Sequence, residues 1–172
     1  MKYKYIFFIF IPVILITIST FSNKNNMPVI PININKTHIC STDSMILADY
    51  KGPKAQILWK DQTRSFYCEV REAFYDSTDK IKSKNIQAFF VQNFSNLKWD
   101  SYDSNWMLAK NAYYVIDSKM DGAMGITYVP FDSIDNARIF FNNYGGKIIN
   151  YNDINKDTLS KSSLLLKDRL IY

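Results

Sequence analysis

The N-terminal apolar segment constrains this chain most, because it separates a membrane-directed part from the rest. Between residues 5 and 18 only Pro12 and Thr17 are not apolar, and no charged residue occurs from 5 to 23. A helix of that uncharged span would be roughly 28 Å long, just enough to cross the hydrocarbon core of a bilayer. We therefore expect residues 1–22 to be a signal peptide or a membrane anchor, and the anchor is the favoured reading.

The charges that flank the apolar segment predict its orientation. Lys2 and Lys4 precede it, and basic residues next to a spanning segment stay on the cytoplasmic side. The remainder of the chain is then extracytoplasmic, and we expect a periplasmic protein tethered to the inner membrane. Residues 19–22 lack a clean small-x-small cleavage site, and no cysteine follows within the distance of a lipobox. A lipid anchor at the mature N-terminus therefore has no acceptor.

The rest of the chain divides into three parts. Residues 23–36 are rich in Asn and Pro and poor in charge, which predicts an extended tether. One folded domain is predicted over residues 37–153, followed by an amphipathic helix over 154–172. The chain has 172 residues, of which 47% are hydrophobic and 16% aromatic, and this is enough for one hydrophobic core. The composition excludes a wholly disordered protein, and two cysteines exclude a disulfide-dense scaffold.

Within the predicted domain, patterns typical of strands and helices alternate in the same order twice. The first series consists of strands at 54–60 and 63–67, a helix at 69–79 and a strand at 86–94. The second series consists of strands at 112–116 and 126–129, a helix from an Asp132 N-cap to Gly145-Gly146, and a strand at 147–151. This order predicts an α+β fold of two successive ββαβ units. The apolar face of the second helix is predicted to be Ile134, Ala137, Ile139, Phe140 and Phe141.

Several functional classes are excluded by the residues present. The net charge of +5 comes from scattered Lys and Arg, and the chain has no nucleic-acid motif. It also has no phosphate-binding glycine loop and no recognisable frame of paired catalytic carboxylates. A Cys40–His38 nucleophile and base pair lacks an identifiable orienting acid. We therefore expect neither an enzyme nor a nucleic-acid partner.

Sulfur-bearing residues in two loops are the best candidates for chemistry. Met45 follows Cys40 after four residues, and Met124 lies in a second loop. Thiolate and thioether donors select cuprous copper over hard cations, and one Cys with one or two Met suffices for a site of low coordination number. If residues 38–40 are extended, His38 projects to the same side as Cys40. The alternative for the two methionines is core filling, and His38 is otherwise a surface or core histidine.

Several motifs occur in a consistent order between residues 38 and 153. They are Cys40-x4-Met45, Trp106, Ala112-Tyr113-Tyr114-Val115, Gly122-Ala123-Met124-Gly125 before Pro130-Phe131, and Gly145-Gly146-Lys147 at a helix end. In this order they resemble the NosL family of nitrous oxide reductase accessory proteins. The resemblance implies an exported copper chaperone, commonly a lipoprotein, that passes Cu(I) to the maturation machinery of that enzyme. It also implies an α+β fold of two ββαβ units, similar to part of organomercurial lyase.

The chain departs from both ligand motifs of the family. In the usual Cys-x-x-Cys-Gly-Met motif, which here runs from Cys40 to Met45, Asp43 replaces the second Cys and Ser44 replaces the Gly. This departure removes one of the thiols that the resemblance would otherwise supply.

In the second motif, Met-Gly-His, Met124 is retained and Ile126 replaces the His. The predicted ligand set is therefore Cys40 as thiolate, Met45 and Met124 as thioethers, and His38 as an optional fourth donor. The partners are then the copper ion and a copper-receiving maturation protein. The competing interpretation is a degenerate family member that serves as a non-metal structural or protein-interaction module.

Cys68 leaves a further alternative open. In an oxidising compartment it can pair with Cys40, and a disulfide across the 27 intervening residues would contribute on the order of 3 kcal/mol. That bond would remove the Cys40 thiolate from a copper site. Cys68 as an additional copper ligand ranks below the disulfide. A lyase reaction that uses Cys40, Cys68 and Asp43 is not supported by their spacing.

Overall fold

The computed structural model describes residues 29–102 and 105–170. The predicted signal or anchor at residues 1–22 lies outside them. Over the described ranges, no helix combines the length and the apolar content that a membrane span requires. This part of the chain forms a mixed α+β structure with three α-helices and antiparallel sheets.

The first half of the domain forms a four-stranded antiparallel sheet. Its strands are β1 (Ala55–Trp59), β2 (Arg64–Tyr67), β3 (Ile86–Gln92) and β4 (Trp106–Leu108). They are arranged in the order β2-β1-β3-β4, and α1 (Val70–Thr78) connects β2 to β3. Strand β1 is buried along almost its whole length, because it is a central strand whose apolar side chains enter two different hydrophobic clusters.

The second half forms a three-stranded antiparallel sheet with a small hairpin beside it. The remaining elements are β5 (Tyr113–Ile116), β6 (Asp121–Gly122), β7 (Gly125–Ile126), β8 (Val129–Phe131), α2 (Ile134–Tyr144), β9 (Lys147–Asn150) and α3 (Lys156–Leu170). The sheet order is β8-β5-β9, while β6 and β7 pair only with each other.

The α+β class predicted from the sequence is confirmed, but the arrangement is more complex than two ββαβ units. Strand β4 extends the first sheet after β3, and the β6–β7 hairpin comes between β5 and β8. The prediction of one strand over 126–129 is wrong. Gly125, with φ of 92°, turns the chain so that Ile126 pairs with Asp121, and a separate strand starts at Val129.

Helix α2 begins one residue later than predicted. Ser133 is its N-cap, since the Ser133 side chain accepts a hydrogen bond from the Asn136 N–H. Asp132 instead accepts a hydrogen bond from Asn93 at 2.8 Å, which ties the start of the helix to the end of β3. Gly145, with φ of 70°, ends the helix as predicted.

The predicted apolar face of α2 is only partly buried. Ala137 is fully buried, but Ile139 is 62% exposed and Phe141 is 37% exposed. The helix packs on one side against the sheet of β5, β8 and β9, so only a narrow stripe of its surface is covered.

Phe74 on α1 occupies the centre of the main core. Its ring meets Phe89 of the first sheet edge-on at 5.1 Å and Tyr114 of the second at 5.3 Å. Leu159 of α3 is fully buried in the same cluster. These contacts from both sheets hold α1 in place, and the N-terminal end of α1 borders the candidate site.

The described part of the predicted tether, residues 29–36, has neither helix nor strand but contacts the domain. The Ile32 N–H donates to Gln56 Oε1, and Gln56 Nε2 donates to the Ile32 carbonyl, both at 2.9 Å. Ile34 is buried in one cluster with Cys40. This segment therefore leads the chain along the domain surface into the Cys40 loop.

Candidate metal centre

The loop that carries Cys40 is a tight turn. The Cys40 N–H donates to the Met45 carbonyl at 2.8 Å, and the Ser44 N–H donates to the Cys40 carbonyl at 3.0 Å. A β-bridge between Ile39 and Ile46 closes the turn. Ser44 has φ of 65°, a backbone conformation in which glycine is least strained. This conformation explains why a glycine suits the position that Ser44 occupies.

Hydrogen bonds between Ser41 and Phe66 bring Cys40 next to Cys68. The Ser41 N–H donates to the Phe66 carbonyl at 2.7 Å, and the Phe66 N–H donates to Ser41 Oγ at 3.1 Å. Phe66 lies in β2, and Cys68 follows that strand directly. Both cysteines are free thiols and are almost completely buried. The two thiols are therefore close in space and buried, although 27 residues separate them in the sequence.

Asp43 and Glu72 complete what we call the thiol–carboxylate cluster: Cys40, Asp43, Cys68 and Glu72. The potential ligand atoms of these residues all lie within 4.8 Å of one another. Glu72 Oε2 is 3.6 Å from the Sγ atoms of both cysteines, and Cys68 Sγ is 3.7 Å from Asp43 Oδ2. Glu72 reaches the thiols because it lies in the first turn of α1, four residues after Cys68.

The two thiols have opposite pKa shifts. The hydrogen bond from the Cys68 thiol lowers the pKa of Cys40 to about 6 in spite of burial, and the backbone N–H groups of Cys68, Thr42 and Asp43 act in the same direction. The same thiol–thiol hydrogen bond, together with burial and nearby negative charges, raises the pKa of Cys68. Near neutral pH the pair therefore shares one proton, with Cys40 as thiolate.

The surroundings of the pair carry both signs of charge. Burial and the negative charges of Cys40 and Asp43 raise the pKa of Glu72 to about 8. Lys54 is completely buried, and burial lowers its pKa to about 8 against the opposing negative charges of Glu69, Cys68 and Cys40. Its ammonium donates to the carbonyl groups of Gly52 and Lys51 at 2.8 and 3.0 Å. Lys54 therefore provides a buried amine, held by two carbonyl groups, that interacts electrostatically with both thiols.

The four residues predicted as ligands occupy different positions. Met45 packs against the buried cluster that contains both cysteines. Met124 is 43% exposed, and its neighbour Ala123 is the hairpin residue that packs against that cluster.

The His38 side chain contacts Asn35 and Phe66 and is not part of the thiol–carboxylate cluster among the described residues. Its Nδ1 accepts a hydrogen bond from the Asn35 N–H at 3.0 Å, and its ring meets Phe66 edge-on at 4.5 Å. Among the described residues, the group of mutually close ligand atoms does not include His38.

Glu69 holds the tip of the β6–β7 hairpin next to the site. The Met124 N–H donates to Glu69 Oε1 at 2.8 Å, and Glu69 is completely buried. A Cβ atom on Gly122 would lie 2.3 Å from the same oxygen, so this close approach requires glycine. Burial raises the pKa of Glu69 to about 7.

Sequence reasoning did not select three members of the thiol–carboxylate cluster: Cys68 ranked only as a less favoured additional ligand, and Asp43 and Glu72 were not among the predicted ligands. For Glu72 a signal was present, because the helix predicted over 69–79 puts Glu72 in its first turn, directly after Cys68. For Asp43 the signal was its place at the second ligand position of the motif, three residues after Cys40. For Cys68 no sequence signal exists, since its approach depends on the long-range contact between Ser41 and Phe66. Ile126, at the position of the family's His, is completely buried and offers no donor.

A family model described as NosL matches residues 31–159. The copper-binding lipoprotein NosL of Stutzerimonas stutzeri is 23% identical over 137 residues, which cover 77% of this chain and 70% of that protein. The copper-binding lipoprotein NosL of Achromobacter cycloclastes is 33% identical over 122 residues, which cover 68% of this chain and 62% of that protein.

The fold agrees with that of a solved relative. The crystal structure of the copper chaperone NosL from Shewanella denitrificans matches with a TM-score of 0.71 and 25% identity, over 76% of this chain and 99% of that one. The match of the family model extends over both sheets, α1, α2 and the hairpin, and it includes the cysteine loop. The chain belongs to the NosL family.

Proposed function

We propose that this protein binds one Cu(I) ion outside the cytoplasm and delivers it to a partner in the maturation of nitrous oxide reductase. The observation that carries the proposal is the pair of buried free thiols, whose sulfur atoms lie within 4.8 Å of each other. Two thiolates at that separation suit a soft monovalent ion of low coordination number. The relatives named copper-binding lipoprotein and copper chaperone support copper as the cargo.

Cys40 is the dominant ligand in this proposal, because its lowered pKa makes it a thiolate at neutral pH. Cys68 takes the part of the thiol that Asp43 replaces in the family motif. Met45, which packs against the buried cluster that contains both cysteines, is the third donor. Met124 and His38 remain candidates at the edge of the site, and each would have to turn its side chain towards the thiols to reach a bound ion.

Delivery follows from the low coordination number. A Cu(I) ion held by two thiolates and one thioether has room for an incoming sulfur ligand from a receiving protein. Asp43 is the exposed member of the cluster, whereas both cysteines are buried, so the ion is expected to pass on the side of Asp43. The chain's own residues bind and release the ion, and no catalytic turnover is part of the proposal.

The proposed location combines two observations. Two curated relatives are named lipoproteins, which is typical of proteins held at a membrane outside the cytoplasm. This chain has the apolar segment of residues 1–22 and no lipobox cysteine. We infer that the segment itself acts as the tether to the inner membrane and that the domain lies in the periplasm.

An anaerobic titration of the reduced full-length chain with Cu(I), against a colorimetric Cu(I) chelator, tests the proposal. We expect one tightly bound ion in the unchanged protein and almost complete loss of binding in Cys40→Ser. Met107→Leu serves as a matched control, because Met107 packs against the main core and not against the thiols. Failure of the unchanged protein to compete for stoichiometric copper would contradict the proposal and favour a non-metal structural or interaction module.

A further inference from the structure

The loop between α1 and β3, residues 79–85, presents an apolar side chain to solvent among lysines, and we call it the lysine loop. Ile81 is 75% exposed. Lys80 and Lys82 flank it, Lys84 follows two residues later, and all three lysines are exposed. An apolar side chain that projects between cations suits the boundary between anionic lipid headgroups and acyl chains.

Positive charge predominates at this end of the molecule. The turn at residues 60–64 and the chain from 76 to 85 together carry five basic and three acidic residues. In the part of the chain that the structure describes, neither Lys80 nor Lys84 forms an ion pair, so their charges are available to external anions. Each acidic side chain already accepts a hydrogen bond or an ion pair within the fold, and these side chains are Asp61, Asp76 and Asp79.

The N-terminal segment approaches the same end of the first sheet. Ile34 is buried in the cluster that contains both cysteines, whereas the Ile30 carbonyl accepts a hydrogen bond from the Arg64 guanidinium at 2.9 Å. Arg64 begins β2, and the thiol–carboxylate cluster lies at the other end of that strand. Towards the N-terminus the segment therefore runs away from the thiols. The Lys60 N–H donates to the Asn85 carbonyl at 2.8 Å, which brings the lysine loop to the same end.

Chain length limits how far this end can lie from a membrane. The proposed anchor ends at residue 22, and the described segment begins at Val29. Even when fully extended, the connection between them spans at most about 25 Å. Helix α1 begins beside Cys68, and its nine residues run about 13 Å towards the lysine loop. The lysine loop is therefore on the side of the bilayer, and the thiols are on the far side.

We propose that the lysine loop, with Lys60 beside it, docks on the anionic headgroups of the membrane that holds the anchor, and that Ile81 inserts at the boundary of the acyl chains. The inference rests on the proposed tether, because the tether brings the loop within reach of the bilayer. The contact itself is weak, and anchoring raises the effective concentration of lipid at the loop. The docked domain presents its thiols away from the bilayer, where a copper-receiving partner can reach them.

Amine labelling of the full-length chain in vesicles tests this inference. The chain is reconstituted in vesicles of phosphatidylglycerol and phosphatidylethanolamine, and separately in neutral phosphatidylcholine vesicles. A membrane-impermeant acylating reagent modifies the lysines, and mass spectrometry gives the rate at each site. We expect Lys80 and Lys84 to react at least about threefold more slowly in the anionic vesicles, and high salt should remove most of this difference. Lys110 and Lys147, which are exposed in the second half of the domain, should react equally in both.

A double variant and a matched control separate the lysine loop from the rest of the surface. Ile81→Ser combined with Lys80→Gln should abolish the slow labelling of Lys84 in anionic vesicles. The control combines Ile139→Ser with Lys110→Gln, which removes the same two side-chain types elsewhere, since Ile139 is 62% exposed on α2. It should keep the slow labelling. Circular dichroism checks the fold, and both variants should retain the Cu(I) affinity of the unchanged protein.

Flotation of the vesicles after an alkaline wash distinguishes the possible failures. A chain that stays with the vesicles but labels at equal rates in both kinds of vesicle would overturn the docking inference, and would favour an acidic protein as the partner of the lysine loop. A chain that the wash removes would contradict the tether and the docking inference with it. Neither result changes the outcome of the Cu(I) titration, so copper binding is tested separately.

Discussion

Glu69 and Glu72 lie three residues apart beside the same cysteine, yet their surroundings differ completely. Glu69 is fully buried and accepts a hydrogen bond from the Met124 N–H, and it leaves no room for a side chain on Gly122. Glu72 is half-buried and lies at 3.6 Å from both thiol sulfurs. One carboxylate therefore supports the backbone around the site, and the other is available to a bound ion.

The difference arises because two nearby residues can point their side chains into different surroundings. Glu69 precedes α1 as its N-cap residue, and Glu72 lies in the first turn of that helix, so they face different neighbours. The Glu69 side chain is completely buried against the hairpin, and the positive charge of the buried Lys54 acts on its carboxylate. The thiol–carboxylate cluster keeps one exposed member, Asp43, through which an ion can reach it. The comparison predicts that changes on the two sides have separable effects.

After Cys40→Ser, the largest loss of Cu(I) affinity is expected from Cys68→Ser. If the two thiols hold Cu(I) together, this substitution should weaken binding by more than the roughly 10–100-fold typical of a supporting group. Glu69→Gln, on the other side of Cys68, should weaken binding far less, because it removes no ligand. Competition with a Cu(I) chelator measures both variants. Equal affinity of Cys68→Ser and the unchanged protein would mean that Cys40 works without a second thiol.

The next largest effects on Cu(I) affinity are expected at Met45 and Met124, and they should differ in size. Met45→Leu keeps the volume and apolarity of the side chain but removes the thioether, so we expect a loss of ~10–100-fold in Cu(I) affinity with little change in apo stability. Met124→Leu should cost less, because its side chain is 43% exposed and anchored through its backbone to Glu69. Met107→Leu should leave copper affinity unchanged. If Met45→Leu alters apo unfolding and not copper affinity, Met45 is a core-filling residue.

Gly122→Ala tests whether Glu69 supports the hairpin through its close contact with Gly122. A Cβ there would meet Glu69 Oε1 at 2.3 Å, and overpacking of this kind destabilises a fold by roughly 1–3 kcal/mol. Chemical unfolding of the apo protein measures the loss. In a Glu69→Ala background the same substitution should cost clearly less, because the clashing carboxylate is gone. Additive effects of the two substitutions would show that Glu69 does not hold the hairpin through this contact.

Changing the pH by one unit is expected to alter Cu(I) affinity less than the loss of a thiol ligand does. Cys40, with a pKa of about 6, is a thiolate at neutral pH, while Cys68 has a raised pKa and keeps its proton. Binding to both thiols then releases one proton between about pH 6.5 and 8, so affinity should rise about tenfold per pH unit. Below about pH 6 two protons must leave, and the dependence should steepen. A flat profile above pH 7 would indicate that Cys40 alone binds as thiolate.

The fold was predictable to the level of its elements. Apolar alternation and turn residues located β1, β2, β3 and β9 to within a few residues, and Gly145 marked the end of α2 correctly. The hairpin was not predictable, since strands of two residues carry no periodicity and depend on the left-handed Gly125. The sequence does not distinguish Asp132 from Ser133 as the N-cap of α2, because Asp and Ser both favour that position. The hydrogen bond of Ser133 with Asn136 and that of Asp132 with Asn93 distinguish them in the structure.

The site was predictable only in part. The residue types and the family motif indicated Cys40 and Met45, and the structure places Met45 against the cluster that contains Cys40. Their role as ligands, like that of Met124 and His38, stays a prediction. The approach of Cys68 was not predictable, because it follows from hydrogen bonds between a loop and a strand that are distant in sequence. Cys68, which lies outside the motif, thus supplies a second thiol where the motif itself has Asp43 in place of its second cysteine.

The central claim is that Cys40 and Cys68 hold one Cu(I) together. X-ray absorption at the copper edge of the full-length chain, loaded anaerobically with one Cu(I), tests it most directly. The account predicts a first shell of three sulfur atoms, reduced by one in Cys68→Ser and again by one when Met45→Leu is added. A shell dominated by nitrogen or oxygen, or a sulfur shell that is identical in Cys68→Ser, would contradict the claim.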